Sequence, residues 1–279
     1  MVARAWLLVT LLGGFTVWAA ETNEAVFRLG IDVLAQRGFR DLKGKRVGLV
    51  TNPSGVDGQG KPSWKRLRES PEVNLVALYG PEHGVFGKVG AGKHVSGERH
   101  GEDRNSDGKI SKDEETGIRI FSLYGATRKP TPKMLDGVDV IVYDLQDVGC
   151  RSYTYISTLG LVMEAAQEKG VEVMVLDRPN PLGNFRVEGP RPEGELAISS
   201  FIGQYDIPYV YGLTVGELAK WVNEVHLKKP CRLSVIPMKG WTQKMTWEDT
   251  GLKWVPTSPN IPLARSARGY VATGFFGEL

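Results

Sequence analysis

Short stretches of this chain are apolar almost without a break: KRVGLVT, VNLVALYG, IRIFSLYG, DVIVYD, VEVMVL and CRLSVIPM. A strand exposed on one face alternates apolar and polar residues, so a near-continuous apolar run belongs to a strand buried on both faces. Between these runs lie segments with helical spacing: FRLGIDVLAQRGF, SWKRLRES, the stretch from Thr158 to Lys169, and LTVGELAKWVNEVH. Strands alternating with helices predict an α/β chain with a Rossmann-like, doubly wound, mostly parallel sheet covered by helices on both sides.

In such sheets ligands bind beyond the carboxyl ends of the strands, so the residues that follow each run matter most. The first run ends in Asn52 and Ser54, and the second in Gly80-Pro81 followed by Glu82 and His83. DVIVYD leads into Asp144, Gln146 and Asp147, then Arg151, Tyr153 and Tyr155; VEVMVL leads into Asp177, Arg178 and Asn180. Each residue alone is a common loop or capping residue. Delivered together to one sheet edge, they predict a shared cleft. Carboxylates, amides, arginines and aromatic rings suit a hydroxyl-rich ligand such as a sugar, with a shielded carboxyl as general acid.

Other classes are disfavoured. The 35 basic and 32 acidic residues are interleaved for a net charge of +3, which gives no basic stripe for nucleic acid. GKVGAGKH (87–94) has glycine and lysine at phosphate-loop spacing, but His94 stands where a serine or threonine would hold Mg²⁺. No GxGxxG follows the first strand, and His83, His94, His100 and His226 lack zinc-ligand spacing. Two cysteines, Cys150 and Cys231, are too few for a disulfide scaffold, and unpaired buried thiols are the expectation.

Two segments carry signals of their own. Residues 1–20 have a charged start, a short apolar core and a small-residue exit, so they are expected to be a signal peptide that sends the chain to the periplasm or outside the cell. DRNSDGKISKDE, within an insertion at 100–116, matches the EF-hand loop. Asp103, Asn105 and Asp107 supply oxygens, Gly108 the sharp turn, Lys109 a backbone carbonyl, Ser111 a water-mediated contact and Glu114 a bidentate carboxylate. The flanks do not read as paired helices, so the expectation is a structural Ca²⁺ site.

Taken with TNPSGVD, GPEHGVFG, YDLQDVGCRSYTYISTL, LDRPNPLG, VEGP, VYGLTVGELA and MKGWTQKMTWEDTGLKWVPTSPNIP, the chain resembles the NamZ-type exo-β-N-acetylmuramidases of glycoside hydrolase family 171. The resemblance implies a Rossmann-like domain over 21–255, with 256–279 beginning a smaller C-terminal domain that is largely missing, and a cleft between the two. It implies release of N-acetylmuramic acid from the non-reducing ends of peptidoglycan fragments, without a catalytic cofactor. Glu82 is then the expected catalytic carboxylate with His83 in support. Asn52, Ser54, Asp144, Gln146, Arg151, Tyr153 and Tyr155 are expected to shape the sugar subsite, with Arg178, Asn180 and Glu188 nearby. Arg151 or Arg178 is expected to pair with the lactyl carboxylate, because a guanidinium recognises a carboxylate through two parallel bonds. Asp144 and Asp177 are equal candidates for a second carboxyl. The rival expectation is a sugar-binding fragment with impaired turnover.

Overall fold

The computed structural model of the protein describes residues 27–87, 117–192 and 200–274, together with Gly90 and Lys93. The expected signal peptide and the calcium-type loop with Asp103, Asn105, Asp107, Lys109 and Glu114 lie outside the described residues, as do His94 and His100.

Six strands form one wholly parallel sheet: β1 (Arg46–Thr51), β2 (Asn74–Gly80), β3 (Arg119–Ser122), β4 (Val140–Asp144), β5 (Glu172–Leu176) and β6 (Arg232–Ile236). Their order is β3-β2-β1-β4-β5-β6. This is the doubly wound Rossmann-like arrangement, and the direction of winding reverses between β1 and β4. Loops diverge at that point, so the carboxyl ends of β1 and β4 border a natural crevice.

The continuous apolar runs are explained by burial on both faces. All five residues of β4 are buried, and they alternate between two cores. Val140 and Val142 pack with Leu49, Leu78 and Met174 and with helices α1 (Gly30–Gln36) and α2 (Ser63–Arg68). Ile141 and Tyr143 pack on the opposite side with Val173 and Val175, beneath α3 (Tyr155–Lys169) and α4 (Val215–Trp221). A final helix, α5 (Ser266–Thr273), adds Ala267 to that second core.

Capping residues set the ends of the crossover helices. α3 stops at Gly170, which is left-handed at φ 74°, and the Val171 N–H closes back on the Ala166 carbonyl at 2.9 Å. α4 opens with Thr214, whose hydroxyl accepts the Glu217 N–H at 3.2 Å while the Glu217 carboxylate accepts the Thr214 N–H at 2.8 Å. Cys150 and Cys231 are both buried and unpaired; burial pushes their thiols up to about 12 and about 11.

Candidate active site

The chain leaves β2 at Gly80 and turns at once. The Gly84 N–H donates to the Pro81 carbonyl at 2.8 Å, and His83, third residue of the turn, is left-handed at φ 73°. That position usually takes glycine, and a side chain there costs on the order of 1–3 kcal/mol. Gly80 has no room for a side chain either, since a Cβ would lie 2.8 Å from the Val85 nitrogen. His83 is buried, whereas Glu82 stands half-buried at the crest of the turn.

Glu82 meets the start of α3. Its Oε2 accepts the Thr154 hydroxyl at 2.7 Å, which sets the carboxylate beside the N-terminus of a 15-residue helix. Backbone dipoles at that end favour negative charge. Tyr155 follows directly. Burial is the main cause that drives its phenol well above the ordinary value, and the charge of Glu82 adds to it.

From Tyr155 a hydrogen-bonded chain crosses the switch point. The Tyr155 hydroxyl accepts from Asn52 Nδ2 at 2.6 Å and donates to the Thr257 carbonyl. Asn52 Oδ1 accepts from the Ser54 N–H at 2.9 Å and from its hydroxyl at 2.6 Å. Ser54 Oγ in turn accepts the Gln146 N–H at 3.1 Å. The Tyr153 hydroxyl donates to Thr257 Oγ1 at 2.8 Å, and its ring packs edge-on against Tyr155 at 4.8 Å and Tyr270 at 5.5 Å. The structure therefore brings Asn52, Ser54, Glu82, Gln146, Tyr153 and Tyr155 into one connected group. Ser54 and Gln146 also line a cavity of about 110 Å³, together with Leu29, Arg178, Trp247 and Val255. Glu82 is not among its lining residues.

The remaining expected residues are placed otherwise. Asp144 is fully buried and accepts from Arg178 Nε at 2.6 Å, from Arg178 Nη2 at 2.9 Å and from the Ser63 hydroxyl. Arg178, also buried, gives a further bond to the Val56 carbonyl at 2.6 Å. Two opposite charges at adjacent strand ends thus close on each other and brace β4 against β5, while Arg178 also lines the cavity. Arg151 Nη1 donates to the carbonyls of Ile207 at 2.7 Å and Pro190 at 3.1 Å. Asn180 shapes its own turn, donating to the Leu213 carbonyl at 3.1 Å and accepting from the Leu182 N–H at 3.0 Å. Glu188 is exposed and paired with Arg186 at 2.6 and 2.8 Å, and its backbone bridges to Val210.

Asp177, the other candidate for a second carboxyl beside Asp144, is also held inside the fold. Asp177 is buried and accepts from Gly216 N–H at 2.8 Å, Thr214 hydroxyl at 3.0 Å and Arg178 N–H at 3.0 Å, so it joins β5 to α4. Burial pushes its carboxyl up to about 6. Asp147 is the more unusual acid. Its Oδ1 accepts from the Gly149 N–H at 2.8 Å and the Tyr211 hydroxyl, while its buried Oδ2 meets no hydrogen-bond partner among the described residues. Burial raises this carboxyl to about 6 as well, against the hydrogen bonds that pull it down.

Sequence reasoning missed Thr154 and Thr257. The first reads as an ordinary helix cap, and the second lies about a hundred residues from the tyrosines it holds.

Comparison with known proteins agrees with this architecture. Residues 47–265 match the family model described as exo-beta-N-acetylmuramidase NamZ, N-terminal. The chain is 47% identical over 245 residues to the peptidoglycan beta-N-acetylmuramidase NamZ of Bacillus subtilis (strain 168), covering 88% of this chain and 55% of that protein. Two crystal structures of DUF1343 family proteins from Bacteroides fragilis NCTC 9343 are similar. One has a TM-score of 0.80 at 51% identity, over 91% of this chain and 61% of its own. The other has a TM-score of 0.69 at 30% identity, over 90% and 62%. The chain thus spans little more than half the length of the curated relative it matches. By the family model that covers most of its length, this chain belongs to the NamZ N-terminal family.

Proposed function

We propose that this chain carries the catalytic carboxyl of an exported glycoside hydrolase, with Glu82 as general acid/base. Its substrate is the non-reducing N-acetylmuramic acid of peptidoglycan fragments. The observation that carries the reading is the presentation of Glu82 on a left-handed turn at the end of β2, bonded to Thr154 beside the Tyr153–Tyr155 pair. Half-burial leaves Glu82 open to a ligand, unlike Asp144 and Asp177. The name of the Bacillus subtilis relative supplies the substrate class.

In the reaction Glu82 delivers a proton to the glycosidic oxygen as the bond to the anomeric carbon breaks. It then takes a proton back from the water that completes hydrolysis. Tyr153 and Tyr155 are buried next to Thr154, and Thr257 and Asn52 hold their hydroxyls. The asymmetric turn, fixed by Gly80 and His83, aims the carboxyl. The test is release of a chromogenic leaving group from a muramic acid β-glycoside. Glu82→Gln is expected to lower kcat by at least about 100-fold, the usual contribution of general acid catalysis. An undiminished rate in that variant would remove Glu82 from the role.

For the stretch Asp103 to Glu114 we propose, on its spacing alone, a structural Ca²⁺ site. Calcium is then expected to raise the melting temperature of the parent and to leave that of Glu114→Gln unmoved. An unresponsive parent would refute it.

A further inference from the structure

Threonine is favoured just ahead of a helix because its hydroxyl accepts an N–H from the first turn, a bond worth about 1 kcal/mol. Thr214 does this for α4. Thr154, in the same position before α3, makes no such bond. Its backbone is already helical, at φ −68° and ψ −12°, whereas Thr214 is extended at φ −72° and ψ 164°. The helical setting turns the hydroxyl away from the first-turn N–H groups. Its proton goes instead to Glu82 Oε2 at 2.7 Å.

That backbone is not free to drift. The Thr154 carbonyl accepts both the N–H of Thr158 at 3.0 Å and its hydroxyl at 3.3 Å, and Thr154 itself is buried. The donor is therefore fixed by the first turn of a long helix, while the acceptor rides on a turn fixed by Gly80 and left-handed His83.

We infer that Thr154 is a positioning residue of Glu82, its hydroxyl fixing the orientation of the carboxyl that delivers the proton. This rests on the proposal that Glu82 is the proton donor. Thr154 touches no reacting atom; it acts through the carboxylate. Loss of the bond therefore weakens proton transfer and leaves sugar binding in place.

The test compares Thr154→Val, which keeps the branched shape, with Thr154→Ser, which keeps the hydroxyl. Both are made in the full chain and assayed on the muramic acid β-glycoside. Thr154→Val is expected to lower kcat by about 10- to 100-fold, as for a hydrogen bond to a charged group, with KM nearly unchanged. Thr154→Ser is expected to stay within about threefold of the parent, and both to melt near the parent temperature. A merely structural threonine would give the opposite order, since serine lacks the packing methyl. Full kcat in Thr154→Val, or equal loss in both variants, overturns the inference. If the valine variant fails to fold, Thr154→Ala measured against Thr154→Ser decides in the same way. Glu82→Gln separates the two levels. Activity in that variant sinks the underlying proposal, whereas an inactive Glu82→Gln beside a fully active Thr154→Val sinks only the role of Thr154.

Discussion

Replacing Asp147 by Asn should change how stability depends on pH, by an amount the structure allows to be worked out. The residue is 6% exposed, one oxygen is held by Gly149 and Tyr211, and the other is buried without a partner among the described residues. Burial lifts the carboxyl from an ordinary 3.8 to about 6. A carboxyl raised on folding favours the folded state while protonated, and that advantage is lost as pH climbs from the unfolded value through the folded one. The gap corresponds to about 3 kcal/mol in full, of which about 2–3 kcal/mol falls between pH 4 and pH 7. The ionisable groups around Asp147 are Tyr143, Tyr153, Tyr211, Tyr270 and Cys150; burial pushes every one of them further up, so none titrates in that window. Asparagine keeps an acceptor for Gly149 and Tyr211 and places a buried amide nitrogen at the other oxygen. That substitution adds a pH-independent cost of about 1–3 kcal/mol. Urea unfolding of parent and variant at pH 4, 5, 6 and 7 isolates the titration, because Asp177 is common to both and cancels. The variant should be the less stable protein at pH 4 and gain about 2–3 kcal/mol on the parent by pH 7. A difference that stays flat with pH would refute a buried, strained carboxyl. A difference that moves the other way would show that Asp147 is held ionised by a partner.

Arg178→Met leaves the Asp144 carboxylate buried with Ser63 as its remaining partner, and should destabilise the fold by about 3–5 kcal/mol in urea unfolding. Adding Asp144→Asn should recover part of the loss, and a single-variant cost below about 1 kcal/mol would contradict a working buried pair. Tyr155→Phe removes a hydroxyl that serves Asn52 and Thr257, and should cost about 1–3 kcal/mol by the same measurement. Gly80→Ala drives a methyl against the Val85 nitrogen and should shift the Glu82 turn, so kcat on the muramic acid β-glycoside should fall together with melting temperature. Unchanged values for both would show that the turn has room.

The layered sheet was legible because burial on two faces leaves an unmistakable trace. VIVYD reads as one apolar run, and its residues face two cores in turn. Helix starts were less clear: α3 begins at Tyr155 and not at Thr158, because tyrosines packed under a loop do not follow helical spacing. The convergence of strand ends was visible for Asn52, Ser54 and Glu82. The contribution of Thr257 was not, since a contact made across about a hundred residues leaves no local signal.

What sequence patterns could not divide was one acid from another. Asp144 and Glu82 both stand at the ends of parallel strands, yet one is buried in a pair that braces the sheet and the other is half-buried on a turn. Strand order explains the difference. β4 lies beside β5, whose end supplies Arg178, and two opposite charges sheltered from water at adjacent ends close into a pair. β2 lies between β1 and β3, whose ends supply Asn52 and Ser122, neither of them a cation. Glu82 accepts the Thr154 hydroxyl, which the start of α3 supplies. Which group meets an acid at a strand end is decided by its neighbours in space, and the chain order does not reveal them.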